Sequence, residues 1–300
     1  MNKKWTAEEV PSQEGHVAIV TGSSSGIGEE AARILAMKGA EVIIAVRNLE
    51  KGDAARNRIL EAHPHGVLHL MKLDLADLQS VREFADGFIS RFLRLDLLIN
   101  NAGVMVPPYS KTKDGFELQF GTNHLGHFVL TARLFDLLKR TEGSRVVNVS
   151  SGAHRMGKLD FDDLNWEARD YSAWTAYGDS KIANLYFTRE LARRTEAEGE
   201  NVVITAAHPG WTATDLQRNS GIANFLNNFF AMSVDKGALP TLRAAVDDEA
   251  ESGAYFGPDG IREMWGHPVR VEPNDLAKND SIAERLWKVS EEMTGERFLS

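Results

Sequence analysis

The 300-residue sequence contains no cysteine. Disulfide scaffolds, zinc ribbons, thiolate nucleophiles and iron–sulfur clusters are therefore excluded. The nine histidines form no metal-ligand pattern, so we expect no metal site. No apolar run approaches the length of a bilayer span, and residues 1–10 carry lysines without an apolar segment behind them. We therefore expect neither a membrane span nor a secretory signal.

Basic residues are outnumbered as well. Lys plus Arg total 34 against 43 Asp plus Glu, which gives a net charge of -9. This balance argues against a nucleic-acid partner, which requires a basic stripe, and against docking on anionic lipid. The composition, with 43% hydrophobic residues, is ordinary for a globular protein, and we expect a cytoplasmic enzyme.

Short β-branched runs alternate with helical patterns along the chain. Predicted strands cover residues 16–21, 41–46, 67–73, 95–100, 145–150, 201–207 and 253–256. Predicted helices cover residues 26–38, 49–62, 80–92, 114–140, 172–198 and one near 283–293. Most of the strands are continuous apolar runs, which is typical of parallel strands covered on both faces.

This alternation predicts an α/β fold with a single Rossmann-type domain, a doubly wound parallel sheet of about seven strands with helices on both faces. We assign residues 15–300 to that domain and residues 1–14 to an N-terminal extension. Ligands of such sheets bind at the carboxyl ends of the strands, where the strand order reverses. Candidate site residues are therefore sought at strand ends.

A glycine-rich turn, Thr21-Gly-Ser-Ser-Ser-Gly-Ile-Gly28, follows the first predicted strand. Glycines let backbone N–H groups approach a pyrophosphate, and the helix that follows adds unpaired donors and the positive end of its dipole. The spacing, G-x-x-x-G-x-G, differs from the general G-x-G-x-x-G fingerprint, and a plain tight turn is the alternative. The predicted contacts to a dinucleotide are Gly22, Ser24, Ser25, Gly26, Ile27 and Gly28.

The end of the second predicted strand bears on the choice of cofactor. Folds that select NAD usually carry an acid there, whereas Arg47 and Asn48 follow Val46 and the first carboxylate is Glu50. A guanidinium can pair with the 2′-phosphate of NADP. We therefore expect NADP(H), with NAD(H) as the alternative, and include Arg47 and Asn48 in the site. The alternative interpretation of Arg47 is a solvated loop arginine.

Tyr177 and Lys181 lie four residues apart in a long predicted helix and so share one face. A nearby ammonium favours the phenolate and lowers the pKa of the phenol, so the pair suits general acid/base chemistry. Alone, such a pair also occurs by chance on surfaces. Ser150 and Ser151 add hydroxyls at the end of the fifth strand, where one could bind a substrate oxygen. Asn123 lies in a helical stretch, where asparagine is unfavourable, as happens at functional sites.

Two further segments, 100–103 (Asn-Asn-Ala-Gly) and 208–210 (His-Pro-Gly), also lie at the ends of predicted strands. Taken together, and in their order along the chain, all these motifs resemble the short-chain dehydrogenase/reductase family over roughly residues 15–260. Segments 42–52, 123–128 and 180–185 look most like its retinol-dehydrogenase-like branch. The resemblance implies a catalytic tetrad of Asn123, Ser151, Tyr177 and Lys181. In it, Tyr177 exchanges a proton with the carbonyl or alcohol and Ser151 positions the substrate oxygen. Lys181 holds the nicotinamide ribose and depresses the phenol pKa, and Asn123 holds a water that links Lys181 to solvent.

The resemblance also extends the cofactor site. It implies that adenine is bound by Asp74 and Leu75, and that the adenosine side is lined by Asn101, Ala102 and Gly103. The nicotinamide carboxamide is expected to be bordered by Pro209, Gly210, Trp211 and Thr214. About twenty-five residues separate Ser151 from Tyr177, about twice the spacing common in the family, and we expect this insertion to form a loop beside the active site.

Two later segments carry open interpretations. Residues 212–235, with the apolar stretch 221–232, are predicted to form a substrate lid, and core packing is the alternative. The C-terminal segment, about 275–300, is predicted to be helical and either covers the cleft or meets a partner subunit. A homodimer is compatible with the resemblance.

The motifs together predict an NADP-dependent oxidoreductase that interconverts a carbonyl and an alcohol by hydride transfer. The expected substrate is a lipophilic aldehyde, ketone or alcohol. One alternative is a catalytically silent module that senses NADP. The other is a related enzyme that reduces an activated C=C bond or acts on a nucleotide sugar.

Overall fold

The computed structural model describes residues 4–211 and 232–299. Its centre is an eight-stranded sheet with the order β3-β2-β1-β4-β5-β6-β7-β8. The strands are β1 (Val17–Thr21), β2 (Glu41–Val46), β3 (Val67–Lys72), β4 (Leu97–Asn100), β5 (Arg145–Val149), β6 (Val203–Ala207), β7 (Tyr255–Pro258) and β8 (Pro268–Arg270). Neighbouring strands are parallel except β7 and β8. The predicted Rossmann-type fold is confirmed, with β8 as an additional antiparallel edge strand.

Helices cover both faces of this sheet. They are α1 (Gly26–Met37), α2 (Leu49–Ala62), α3 (Leu78–Ile89), α4 (Leu118–Phe120), α5 (Gly126–Arg140), α6 (Ala173–Ala197), α7 (Val234–Val246) and α8 (Asp280–Thr294) in the described part of the chain. A π-helical turn, Gly121–Leu125, joins α4 to α5. Within residues 4–211 and 232–299, no helix has the length and apolar content needed to cross a membrane.

The strands alternate their side chains between two cores. Val17 and Ile19 of β1 pack in a core with α3, α5 and α6, whereas Ala18 and Val20 pack in a second core with α1 and α7. All four are buried. A strand covered on both faces is apolar at every position, which explains why the predicted strands read as continuous apolar runs.

Three elements differ from the sequence-based predictions. The helix predicted from residue 114 begins at Leu118. The Asp114 carboxylate accepts a hydrogen bond from the backbone N–H of Leu78, and the backbone of Lys111 pairs with that of Glu117 in an isolated antiparallel β-bridge, so the segment before Leu118 is not helical. Helix α7 was missed because it contains Pro240, and proline normally interrupts a helix. Strand β8 is only three residues long and has no apolar alternation to reveal it.

Both ends of the described chain pack onto the domain. Val10 is buried in the core beside α1. At the other end, α8 packs on α6, and the fully buried Trp287 contacts the rings of Phe128, Phe187 and Phe298. The C-terminal helix is thus fixed by an aromatic cluster on the faces of α5 and α6.

Candidate active site

A cavity of about 680 Å³ lies at the carboxyl ends of the central strands, where the strand order reverses between β1 and β4. Nearly all of the predicted site residues line it. They are Gly22, Ser24, Ser25, Gly26, Ile27, Gly28, Arg47, Asn48, Asp74, Leu75, Asn101, Ala102, Gly103, Ser151, Tyr177, Lys181, Pro209, Gly210 and Trp211. Thr214 and the predicted lid up to residue 231 lie outside the described residues.

The glycine-rich turn is shaped for close approach. Gly22 and Gly26 have φ values of +70° and +60°, in the left-handed region that favours glycine. A Cβ on Gly28 would lie 2.5 Å from Asn101 Nδ2 and 2.7 Å from Gly22 O, so a side chain there has no room. The N-cap residue Ser25 makes no side-chain hydrogen bond to α1. The first N–H groups of α1 are thus left to bind a phosphate group, so the turn fits a dinucleotide.

A hydrogen-bond network joins the turn to the end of β4. The backbone N–H groups of Asn101 and Ala102 both donate to Thr21 Oγ1 at 2.9 Å, and Asn101 Nδ2 donates to Thr21 O at 2.8 Å. The His127 ring contacts the same Thr21 hydroxyl through Nε2 at 3.0 Å. The Asn101 amide therefore braces the two strand ends that flank the cavity.

Two basic side chains stand at the far end of the cavity, beyond β2. Arg47 and Lys51 are exposed, both line the cavity, and neither forms an ion pair with a residue in 4–211 or 232–299. Asn48 caps α2 by accepting the Lys51 backbone N–H at 2.9 Å. Sequence reasoning missed Lys51, although a second basic side chain in the first turn of the helix that follows Arg47 was a usable signal. The Asp74 carboxylate, also at this end, accepts the backbone N–H of Ala76 at 3.0 Å.

The tyrosine, lysine and serine meet at the ends of β5 and α6. Lys181 Nζ lies 5.7 Å from the centre of the Tyr177 ring and donates to Val149 O at 3.1 Å. Ser150 Oγ donates to Lys181 O at 2.8 Å, so this hydroxyl is committed to the backbone of α6. Ser151 is partly exposed and faces the cavity. The geometry therefore favours Ser151 over Ser150 as the serine that reaches a substrate.

Burial shifts the pKa values of both Tyr177 and Lys181. It raises the pKa of Tyr177 to about 12, and the hydrogen-bonding hydroxyl of Ser151 counters this only in part. Burial also lowers the pKa of Lys181 to about 8. The expected lowering of the phenol pKa is therefore wrong for this structure, because Tyr177 is only 5% exposed and desolvation outweighs the one opposing contribution, which comes from Ser151 and not from Lys181. At neutral pH the phenol is protonated, which is the form that donates a proton to a carbonyl oxygen.

Asn123 lies in the π-helical turn rather than in a regular helix. Its Oδ1 accepts the Val104 backbone N–H at 2.7 Å, and its Nδ2 donates to Val104 O at 3.0 Å and to Ser180 Oγ at 2.9 Å. The side chain is buried, and its neighbour Thr122 lines the cavity. Single π turns are frequent at functional sites. Here the turn lets the Asn123 amide join the segment after β4 to the helix that carries Tyr177 and Lys181.

The insertion between Ser151 and Tyr177 is anchored rather than loose. Tyr171 donates to the buried Glu117 carboxylate at 2.9 Å and accepts from Gln119 Nε2 at 2.9 Å. Near the start of the insertion, the Lys158 backbone N–H donates to Asp179 Oδ1 at 2.8 Å. Burial raises the pKa of Glu117, and it raises that of Asp179 to about 6. The insertion packs against α4 and α6 beside the cavity.

Several lining residues were not predicted. They include Thr122, Val149, Gly152, Ala153, Arg155, Met156, Trp174, His208, Arg262, Glu263 and Met264. Trp174 could have been found, because it lies three residues before Tyr177 on the same helix. Arg262, Glu263 and Met264 come from the turn after β7 and carry no local signal. No group of three or more His, Asp or Glu side chains suited to a metal occurs among the residues that the structure describes.

The fold and the site together define a dinucleotide-binding α/β enzyme. The family described as short chain dehydrogenase matches residues 16–224, and this chain belongs to that family. Retinol dehydrogenase 12 of Mus musculus is 45% identical over 286 residues, covering 94% of this chain and 87% of that protein. Retinol dehydrogenase 13 of Homo sapiens is 42% identical over 292 residues, covering 94% and 85%.

Solved structures agree with this assignment. An uncharacterized protein from Mycobacterium paratuberculosis is 43% identical, with a TM-score of 0.84 and 99% of both chains covered. An NADP active-site complex of RhlG from Pseudomonas aeruginosa is 27% identical, with a TM-score of 0.64 and coverage of 81% of this chain and 94% of that one. The chain is thus a retinol-dehydrogenase-like, NAD(P)-dependent oxidoreductase that acts on CH–OH and C=O groups.

Proposed function

We propose that this protein interconverts a lipophilic carbonyl compound and its alcohol, with NADP(H) as the preferred cofactor and Tyr177 as the proton donor and acceptor. The observation that carries this proposal is the continuity of one cavity. The same cavity reaches from the cationic pair Arg47 and Lys51 to Ser151 and Tyr177. A dinucleotide held along it would bring its two ends to these two groups.

The choice of NADP(H) is supported by charge. The 2′-phosphate of this cofactor needs cationic partners, and Arg47 and Lys51 carry no ion pair with any described residue. An acid at the end of β2 would repel the phosphate and bind the ribose hydroxyls of NAD instead. Arg47 and Asn48 occupy that place.

When bound, the nicotinamide supplies or accepts the hydride. The remaining roles fall to side chains of this chain. Tyr177 donates its phenolic proton to the carbonyl oxygen in reduction and regains it in oxidation. The Ser151 hydroxyl donates a hydrogen bond to the same oxygen as negative charge develops on it. The ammonium of Lys181, anchored on Val149 O, would hold the cofactor ribose, and Asn123 keeps α6 in register with the segment after β4.

The substrate class follows from the other wall of the cavity. It is lined by large apolar side chains, namely Met105, Met156, Trp174, Trp211 and Met264. Of these, Met156 is 52% exposed and Trp174 is 40% exposed. Large apolar side chains that stay in water beside a reaction centre indicate that an apolar ligand covers them. An aldehyde, ketone or alcohol with a medium or long hydrocarbon part fits this surface.

A carbonyl screen tests the proposal. Purified protein is mixed with aldehydes and ketones of increasing hydrocarbon length, in separate series with NADPH and NADH, and nicotinamide absorbance is followed. We expect kcat/KM to rise with chain length by about fourfold per added methylene until the cavity is filled. NADPH is expected to give the higher kcat/KM at each length.

Three outcomes would contradict parts of the proposal. Faster turnover with NADH overturns the cofactor preference. A fall in kcat/KM with chain length overturns the lipophilic substrate. Tight NADP binding without turnover of any carbonyl or alcohol would favour a sensing role over catalysis.

A further inference from the structure

Three side chains form a chain of charge-assisted hydrogen bonds across one wall of the cavity. An Arg155 guanidinium N–H donates to Glu263 Oε1 at 2.9 Å, and His208 Nε2 lies 2.9 Å from Glu263 Oε2. The Gly210 backbone N–H donates to His208 Nδ1 at 3.3 Å, so the ring proton resides on Nε2 and is donated to the carboxylate. The chain links the segments that follow β5, β6 and β7.

The backbones of the last two segments are also in direct contact. The Trp211 N–H donates to Met264 O at 2.9 Å. A Cβ on Gly210 would lie 2.6 Å from that same oxygen, and a Cβ on Gly257 would lie 2.1 Å from His208 Nε2. The turn 208–211 therefore rests on residues 257–264 without space for adjustment.

The segment that supplies the carboxylate is strained. Arg262 and Glu263 have φ values of 53° and 58°, two successive non-glycine residues in a region that L side chains rarely adopt. Such strain persists where surrounding contacts over-determine the conformation, and it is concentrated at functional sites. Here the contacts include the backbone hydrogen bond from Glu263 N–H to Gly260 O at 2.9 Å and the two hydrogen bonds of the Glu263 carboxylate. The two side-chain hydrogen bonds, that from His208 first, lower the pKa of Glu263 to about 2, so the carboxylate is ionised at neutral pH.

We propose that Glu263 is a positioning residue for the reaction. Its carboxylate fixes the turn 208–211 through His208 and joins that turn, through Arg155, to the short helix Gly152–Met156 that follows Ser151. This inference rests on the proposed function, with Ser151 binding the substrate oxygen and with the turn 208–211 bordering the nicotinamide, as the family resemblance implies. With both carboxylate oxygens bonded to Arg155 and His208, Glu263 would set the distance between the two reacting partners, and small displacements of such partners are costly in rate.

The variant Glu263→Gln tests this assignment. It keeps an oxygen that can accept from His208 but removes the charge shared with Arg155. Equilibrium titration of the purified protein with NADPH and with 2′,5′-ADP, a fragment without nicotinamide, separates the two ends of the cavity. We expect the Kd for NADPH to rise about fivefold to tenfold while that for 2′,5′-ADP changes by less than about twofold. With substrate, kcat should fall about tenfold or more.

The controls distinguish positioning from general damage. Glu284→Gln removes the carboxylate of an exposed pair with Lys288 on α8 and should change neither titration. Arg155→Gln should reproduce the NADPH effect in part, and the double variant should be no worse than Glu263→Gln, because both act through one chain. The Arg155 side chain is 41% exposed, so Arg155→Gln should fold. If Glu263→Gln does not fold, the same titrations are made with Arg155→Gln.

Two results would overturn the inference. One is an NADPH affinity equal to that of the unmodified protein. The other is an equal loss of affinity for NADPH and 2′,5′-ADP, which would indicate a structural role alone. Because the titrations need no turnover, they remain informative if the carbonyl screen fails, and a failed titration leaves the carbonyl screen intact.

Discussion

Replacing the buried Lys181 by methionine should stabilise the protein while it destroys activity. Lys181 is 3% exposed, and burial lowers its pKa from 10.5 to about 8. That fall corresponds to about 3 kcal/mol of unfavourable free energy for holding the ammonium inside the fold at neutral pH. Methionine has a similar length and carries no charge, so this cost disappears in Lys181→Met.

Part of the gain is offset. The Nζ hydrogen bond to Val149 O is lost, at a cost of about 1 kcal/mol, although Asn184 Nδ2 still donates to that oxygen at 3.1 Å. The expected net gain is about 2 kcal/mol, or about 3 °C in the midpoint of thermal unfolding for a chain of this length. An active site that sacrifices stability for chemistry is common among enzymes.

Urea unfolding of the ligand-free protein at several pH values measures this effect. The folded pKa of Lys181 lies below its unfolded value, so between about pH 8 and pH 10.5 the unfolded chain binds more protons and the free energy of unfolding rises with pH. Lys181→Met lacks this contribution. Its gain in the free energy of unfolding over the parent should therefore be complete below pH 8 and decrease above pH 8. A Lys181→Met variant that is less stable than the parent at pH 7 would refute the reasoning.

Two other substitutions test separate parts of the structure. Arg47→Asp should raise the Kd for NADPH about 30-fold and that for NADH less than about threefold, because one charge-assisted contact to the 2′-phosphate becomes a repulsion. Equal losses for the two cofactors, measured by titration, would contradict the proposed role of Arg47. Trp287→Ala should lower the free energy of unfolding by about 3–5 kcal/mol, because it empties the aromatic cluster between α5, α6 and α8. A loss below about 1 kcal/mol in urea unfolding would contradict the packing described for α8.

The predictable parts of the site are those whose residues lie close together in the sequence. The glycine turn before α1 and the pair Tyr177 and Lys181 each lie within eight residues. Spacing alone therefore places their groups on one turn or one helix face. Asn123 was detectable because it breaks a local rule, but its π-helical geometry depends on contacts with Val104 and Ser180 that no local pattern encodes.

The remaining features arise from tertiary packing. Arg155, His208 and Glu263 are separated by more than fifty residues from one another and meet only because β5, β6 and β7 end side by side. The raised pKa of Tyr177 has the same origin. A lysine at i+4 predicts a lower phenol pKa, yet desolvation by the completed fold is the larger effect.

The role of Tyr177 as proton donor is tested by comparing Tyr177→Phe with the unmodified protein in single-turnover reduction of a lipophilic aldehyde by NADPH. Phenylalanine keeps the ring packing and removes only the hydroxyl that is to donate the proton. We expect a loss of about 1,000-fold or more in the rate of NADPH oxidation, with a Kd for NADPH within about twofold of the original. A rate within about tenfold of the unmodified protein would contradict that role.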